Sequence, residues 1–476
     1  MGAIKDGALA RMGLLTAAQC GAAESLIARM AEFDTIRVLF PDQHGILRGK
    51  TLVASALSSV FTSGIRAPST LLLKDTSHRT VFPVWEADGA PEALQGAGDI
   101  LLAPDPEAFY PLPWASRSAW LICTAVQLDG TPLPFAPQTV LERAVAALRE
   151  EGLALTVGLE VEFHIFAVTD PALTHTAAAM PNKPPQTTNL APGYQFLTEQ
   201  RYDRLADVLD EIRSTLQALG LPLRTLEIEM GPSQVELTFD PASPETHALN
   251  MCLLRTAVKE VCHRAGLHAS FMCHPVVDNA AASGWHIHQS LTEISTGQNV
   301  MIPTSGLDPR AGGWIAGLLA HCEATCLLMT PTVNGYKRYR PHQLAPDRIQ
   351  WGRDNRGAMV RALMTQGDPA SRCENRAPEP AANPWYVFAA QIWAGLAGIT
   401  DGLPLPDAVE TPYDTDAPRL PTDMGTAIDY FEGSDFIKKS FGHAFADYYA
   451  SIKTAEWRRY LGTLSAWEQA EYFDLY

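Results

Sequence analysis

Two spacings of apolar residues run along the chain, and the switch between them marks its elements. Residues 34–53, DTIRVLFPDQHGILRGKTLV, place apolar, β-branched runs on either side of PDQHG, which predicts two strands joined by a turn. Between residues 65 and 114, prolines interrupt short apolar runs and no helix is predicted. This stretch, residues 30–114, reads as a small strand-rich unit.

From residue 115 the texture changes, and residues 115–476 read as a second, larger unit. SAWLICTAVQL predicts a strand, and PQTVLERAVAALREEG a helix with Pro137 near its start and Gly152 as its stop. The strand LTVGLEVEFHIFAV follows, then a loop over 170–194 rich in Pro, Thr, Ala and Asn. The helix YDRLADVLDEIRSTLQALG precedes two short strands, LRTLEIEM and SQVELTF. A further helix opens at Ser243 and Pro244, with Ser243 as N-cap, and runs to about Gly266. Strands HASFMCHP and GWHIHQSL come next, then helix-rich sequence, a Pro/Asp-rich loop over 401–423 and a helical tail.

At 476 residues the chain can bury a large core without disulfides. Its 53 acidic against 36 basic residues give a net charge of −17, which repels phosphate backbones and argues against non-specific nucleic-acid binding. Local arginines can still reverse the sign inside a cleft. The eight cysteines include no C-x-x-C pair and read as reduced, buried thiols of a cytoplasmic protein. The N-terminal residues lack the apolar core of a signal peptide, and Asp6 spoils the myristoylation pattern at Gly2. No run of about 18 uncharged apolar residues predicts a membrane span. The richest stretch, 312–330, contains His321 and Glu323 and reads as a buried helix.

Four patterns carry candidate chemistry. In GLEVEF, Glu160 and Glu162 share one face of a strand, because side chains alternate with period two. Paired carboxylates in a partly buried site call for a cation or a shared proton, although a solvent-facing strand gives the same pattern. In EMGPSQVELTF, Glu229 and Glu236 flank a Gly-Pro turn that can bring them together as a hairpin, exposed or not. In SGWHIHQSL, His286 and His288 share a strand face at a common ligand spacing, which core packing explains as readily. Finally Arg338, Arg356, Arg361, Arg372 and Arg376 cluster within about 40 positions, with Glu374 between the last two. Guanidinium forks bind carboxylate and phosphate. Glutamates with a little histidine suit Mg²⁺ or Mn²⁺ better than a structural zinc. Two such ions beside several arginines equip a site for phosphoryl transfer.

Taken in order, GLEVEF, the two glutamates around G-P-x-Q, SGWHIHQS, NGYKR and ENRAPEPAANPW resemble glutamine synthetase, from about residue 34 to the end. The resemblance implies an α+β fold, with an N-terminal β-grasp domain and a large catalytic domain built on an antiparallel sheet flanked by helices. It implies homo-oligomeric rings, often dodecamers, with each active site between neighbouring subunits. It assigns Glu162, Glu229 and Glu236 to the ion beside the glutamate substrate. Glu160, His286 and Glu374 are assigned to the ion bridging the phosphates of ATP. His288, Ser290, Arg361 and Arg372 match nucleotide-contacting positions. Arg338 and Arg376 match arginines that bind the substrate carboxylates, and Arg356 the arginine at the transferred phosphoryl group. The implied reaction phosphorylates the γ-carboxylate of glutamate with ATP, and an amine then displaces phosphate.

Three departures bear on the substrates. Glutamine synthetase holds ammonium with acidic groups, and here Ser63 and Leu344 stand at those positions. A leucine takes no proton but packs on carbon, so the site reads as a pocket for an organic amine. An alkylamine with a pKa of about 10 needs a base and an arylamine does not, which tilts the reading toward an apolar or aromatic amine. The family's Asn-Gly-Ser-Gly loop is replaced by Ala281-Ala282-Ser283-Gly284, which bears on how glutamate is held. The competing expectations are glutamine synthetase using ammonia, a metal-dependent hydrolase built on the H-x-H pair, and a non-catalytic structural homologue.

Overall fold

The computed structural model describes residues 4–86, 89–342 and 345–476. The alternating segment near the N-terminus forms β1 (Thr35–Pro41) and β2 (Leu47–Val53), paired antiparallel. Asp42 builds the turn between them: its Oδ1 accepts from the backbone N–H of His44 and of Ile46, and its Oδ2 from Arg48 Nε. The sheet is completed by β3 (Ile65–Pro68), β4 (Asp99–Pro111) and β5 (Ser118–Val126), in the order β2-β1-β5-β4-β3. β1 and β5 run parallel and the other pairs antiparallel. The sequence boundary at residues 114 and 115 therefore falls just before a strand that belongs to this first sheet.

The second sheet is nine-stranded and is organised by β6 (Leu153–Asp170). On one side of β6 lie β9 (Gln234–Phe239) and then β8 (Leu223–Ile228); on the other lie β11 (Trp285–Glu293), β14 (Arg372–Asn375), β13 (Val360–Leu363) and β12 (Trp351–Arg353). Short strands β7 (Gln186–Asn189) and β10 (Leu267–Ser270) pair with the far end of β6. All pairs are antiparallel except β12 with β13. The strand read from HASFMCHP stops at Ser270, and Phe271 beyond it stacks on Phe163 of β6.

Period-two alternation gives this sheet two unlike faces. Val157, Leu159, Val161 and Phe163 of β6 and Trp285, Ile287 and Leu291 of β11 are buried in the core. That face packs against the helices Pro137–Glu150 and Pro244–Arg264, and Trp285 meets Phe388 of the helix Pro384–Thr400 edge to face at 5.5 Å. Each large side chain so buried contributes about 1.5–3 kcal/mol, which fixes the register and hence what the opposite face presents. The apolar stretch 312–330 forms two buried helices, Pro309–Ala320 and Cys322–Met329, bent by 74° at His321. Among the described residues no single helix is long and apolar enough to cross a membrane. All eight cysteines are buried and unpaired.

Candidate active site

The polar face of the second sheet collects the residues singled out above. Glu160 of β6 is paired in register with His286 of β11, and Glu162 with Glu236 of β9. His288 stands opposite Glu374 of β14, which in turn stands opposite Arg361 of β13. Glu229 follows β8, and the 229–234 turn brings it back over the same face: its backbone N–H donates to the Gln234 carbonyl at 3.0 Å. Glu162, Glu229 and Glu236 offer oxygens within 4.8 Å of one another. Glu160, Glu236 and His286, and Glu160, His288 and Glu374, bring carboxylate oxygens and an imidazole nitrogen within the same distance.

Hydrogen bonds fix the tautomers of both histidines. Arg338 donates to His286 Nε2 at 3.2 Å, which leaves the imidazole proton on Nδ1, 2.6 Å from Glu160 Oε1. Arg372 Nε donates to His288 Nδ1 at 3.0 Å, which leaves the proton on Nε2, 2.9 Å from Glu160 Oε2. Burial and the neighbouring Arg376 push His286 down to about 4, so it is neutral at physiological pH; to ligate an ion through Nδ1 it must move its proton to Nε2 and release Arg338. His286 Nδ1 also lies 3.8 Å from Glu374 Oε1.

Glu374 is completely buried, and Arg376 Nη1 and Arg361 Nη1 each hold one of its oxygens, the latter at 3.1 Å. Burial opposes its ionisation, but Arg376 and the two histidines outweigh burial and hold it below the usual carboxylate range. Burial likewise opposes Glu160, and His286 and His288 hold it low. The other three carboxylates move the opposite way. Burial and Glu229 push Glu162 up to about 8, burial pushes Glu229 up to about 7, and burial with four neighbouring glutamates pushes Glu236 up to about 11. Such a cluster lacks positive charge, which a divalent cation supplies. Carboxylate oxygens and imidazole nitrogens, without a thiolate, form the donor set of a hard ion such as Mg²⁺ or Mn²⁺.

The remaining residues are distributed as follows. Ser290 is half-buried on β11, on the histidine face. Arg356 is exposed in the turn between β12 and β13, where it helps hold Asp354 below its usual range. Arg338 is buried and donates through Nη1 to the Ala377 carbonyl at 3.2 Å. Ser63 is exposed at the end of the helix Leu57–Ser63, in the N-terminal unit and not on this sheet face. Leu344 lies outside the described residues.

Three organising residues lie inside the quoted motifs but were given no role of their own by the sequence reading. Gln234 shares the face of Glu236, and its Nε2 donates to Glu162 Oε2, the Ala282 carbonyl and Ser283 Oγ at 3.3, 3.2 and 3.0 Å. Its period-two relation to Glu236 was a usable signal. Gly284 donates its N–H to Glu162 Oε2 at 2.9 Å, and a Cβ there would approach His286 Nε2 to 2.8 Å. Gly158 faces His288, where a Cβ would lie 3.3 Å from the His288 Cβ. Nothing in composition distinguishes these two glycines from turn glycines; they are needed for close approach.

Comparison with known proteins agrees with this geometry. Residues 134–472 match the family model of the glutamine synthetase catalytic domain. The chain is 36% identical to a gamma-glutamylanilide synthase of an Acinetobacter species, over 98% of each chain. It is 30% identical to a glutamine synthetase of Methanosarcina mazei, over 96% of this chain and 99% of that one. A solved GmaS–ADP complex superposes with a TM-score of 0.77 at 26% identity, covering 94% of this chain and 99% of the other. The match extends through the catalytic sheet that carries the glutamates, histidines and arginines, and the chain belongs to the glutamine synthetase family of carbon–nitrogen ligases.

Proposed function

We propose that this chain uses ATP to join the γ-carboxylate of glutamate to an organic amine with an apolar or aromatic body. The observation that carries the reading is the convergence of five glutamates, two histidines and Arg338, Arg361, Arg372 and Arg376 on one sheet face. Glu162, Glu229 and Glu236 would hold one divalent ion. Glu160, His286 and Glu374 would hold a second, His286 Nδ1 lying 2.6 Å from Glu160 Oε1 and 3.8 Å from Glu374 Oε1, with His288 beside them. Two Mg²⁺ or Mn²⁺ ions supply charge neutralisation for the phosphates.

His288, Ser290, Arg361 and Arg372 contact the nucleotide, and Arg338 and Arg376, with Glu162, orient glutamate. A γ-carboxylate oxygen attacks the terminal phosphorus of ATP, ADP leaves, and Arg356 offsets charge on the transferred group. A neutral amine then attacks the acyl carbon, and its C–O bond to phosphate breaks. The amine loses its extra proton and the γ-glutamyl amide remains.

The choice of amine rests on Leu344 and Ser63, which replace acids, and is supported by the relative that forms an anilide. Assembly into rings, with Ser63 serving a neighbouring subunit, follows from the resemblance; contact with further copies is supported by the apolar surface open over residues 464–476, where Leu464 is 90% and Tyr476 96% exposed. The test is phosphate release with ATP, Mg²⁺ and glutamate across ammonia, ethanolamine, putrescine, isopropylamine and aniline. Stimulation by aniline or isopropylamine above ammonia is expected. Ammonia as the preferred acceptor at low millimolar concentration identifies glutamine synthetase instead, and no stimulation by any amine refutes the ligase.

A further inference from the structure

A cavity of about 550 Å³ lies between the 43–47 turn of the N-terminal unit and the catalytic domain, and none of the acidic-cluster residues lines it. One wall is the helix Pro244–Arg264, which presents Arg255 and Lys259, four residues apart and therefore on one helix face. Arg255 directs its Nη groups to neutral oxygens, the carbonyls of Gly45, Pro380 and Ala382, at 2.9, 3.2 and 3.0 Å. Lys259 makes no hydrogen bond or ion pair among the described residues. It stays reachable through the cavity mouth, yet burial and the Arg255 charge hold its ammonium below the usual lysine range.

The other charges of the lining have their own partners. Lys453 pairs with Glu456 at 3.1 Å, and Glu260 lies 3.9 Å from Arg264. This leaves two cations, uncompensated by carboxylate, at one end of the space. Ile46, Leu47, Phe271 and Met272 supply an apolar wall. The volume falls within the usual range of small-molecule sites, roughly 300–1,000 Å³. An anionic head answers the unmet charge, and an apolar body answers the wall.

We propose that this cavity is a second ligand site, which takes a small organic carboxylate with its anionic head at Arg255 and Lys259 and an aryl or alkyl body on the apolar wall. The site does not depend on the reaction proposed above. Its walls at 331–332 and 381–383 lie on the segments that lead to Arg338 and away from Arg376.

The test uses the full-length protein and an amine-acetylating reagent, with labelled lysines mapped by mass spectrometry. Phenylacetate and hexanoate are the probes, phenylacetamide is the neutral control, and sodium chloride matches ionic strength. At least one acid should slow acetylation of Lys259 by about tenfold while exposed Lys183 is unaffected. Lys259→Met, with melting temperature and ligase activity retained, should lose about tenfold in calorimetric affinity for that acid. No protection by either acid, equal protection by phenylacetamide or by salt, or unchanged affinity in Lys259→Met overturns the proposal.

Discussion

Arg338 reaches His286 Nε2 at 3.2 Å, and the absence of a side chain at Gly284 is what leaves room for the pair. A residue matched to substrate-carboxylate binding is thereby joined to one matched to metal binding. Gly284→Ala places a methyl 2.8 Å from His286 Nε2 and closer still to the Arg338 guanidinium, whose flexible end must yield. The expected result is a KM for glutamate raised by about tenfold with the KM for ATP little changed, read by steady-state kinetics. Equal KM values for glutamate in both proteins would remove Arg338 from the acid-substrate site.

Glu236 carries the largest upward push of the cluster, so in the metal-free protein it is held as a neutral acid. Glu236→Gln is close to that form in shape and charge. The variant should therefore keep or raise the melting temperature measured in chelator. Wild type should gain on adding Mn²⁺, by about 2.7 kcal/mol at a concentration 100 times the dissociation constant, and the variant should gain much less. Thermal melts with and without Mn²⁺ decide it; a full metal-dependent rise in the variant would show that Glu236 is not a ligand.

Much of this face was legible because period two is a strong local rule. Glu160 with Glu162, and His286 with His288, share faces by spacing alone, and β6 and β11 prove to be neighbours in register. Which strands pair is a long-range matter that spacing does not encode, and the ordered motifs of a family supplied it. The same gap explains β5, which looks like the start of the second unit along the chain yet completes the first sheet in space. Gln234 and Gly284 stood in the quoted motifs without a role because their value is positional: one bridges Glu162 to the 282–283 loop, the other makes way for Arg338.

Glu379 is buried beside the site and accepts from the Thr332 backbone N–H and hydroxyl at 2.8 and 2.9 Å. Burial pushes it up to about 7, against these bonds and the charge of Lys453. Its folded value exceeds the unfolded one of about 4.3, so the native state has its full stability below pH 4.3 and loses it as pH rises through 7. Glu379→Gln abolishes this titration. Between pH 5 and 8, wild type should lose on the order of 3 kcal/mol relative to the variant. Urea midpoints at the two pH values measure it, and parallel pH dependence of the two proteins would contradict the assignment.

The C-terminal helix Ala466–Tyr472 and its flanks leave Leu464, Trp467, Phe473 and Tyr476 at 90, 63, 78 and 96% exposure. A run of this kind on one short segment exposes more apolar surface than scattered side chains do and would dock another copy in the proposed assembly. Removal of residues 464–476 should reduce the particle mass seen by light scattering while leaving the far-ultraviolet spectrum close to native. An unchanged mass would place the assembly contacts elsewhere.

Leu344 follows the YKR motif, at the position that the resemblance matches to an ammonium-binding glutamate. A carboxylate there would attract ammonium and accept its proton. Leucine can do neither, but in the proposed pocket it would favour an apolar amine by about 1–3 kcal/mol of contact. Leu344→Glu should therefore reduce kcat/KM for aniline or isopropylamine by roughly 10- to 100-fold. The same change should raise the response to ammonia. The ratio of the two kcat/KM values is the quantity to measure, because a general loss of fold lowers both together and leaves the ratio unmoved. An unmoved ratio in a properly folded variant would mean that the amine is selected by other residues.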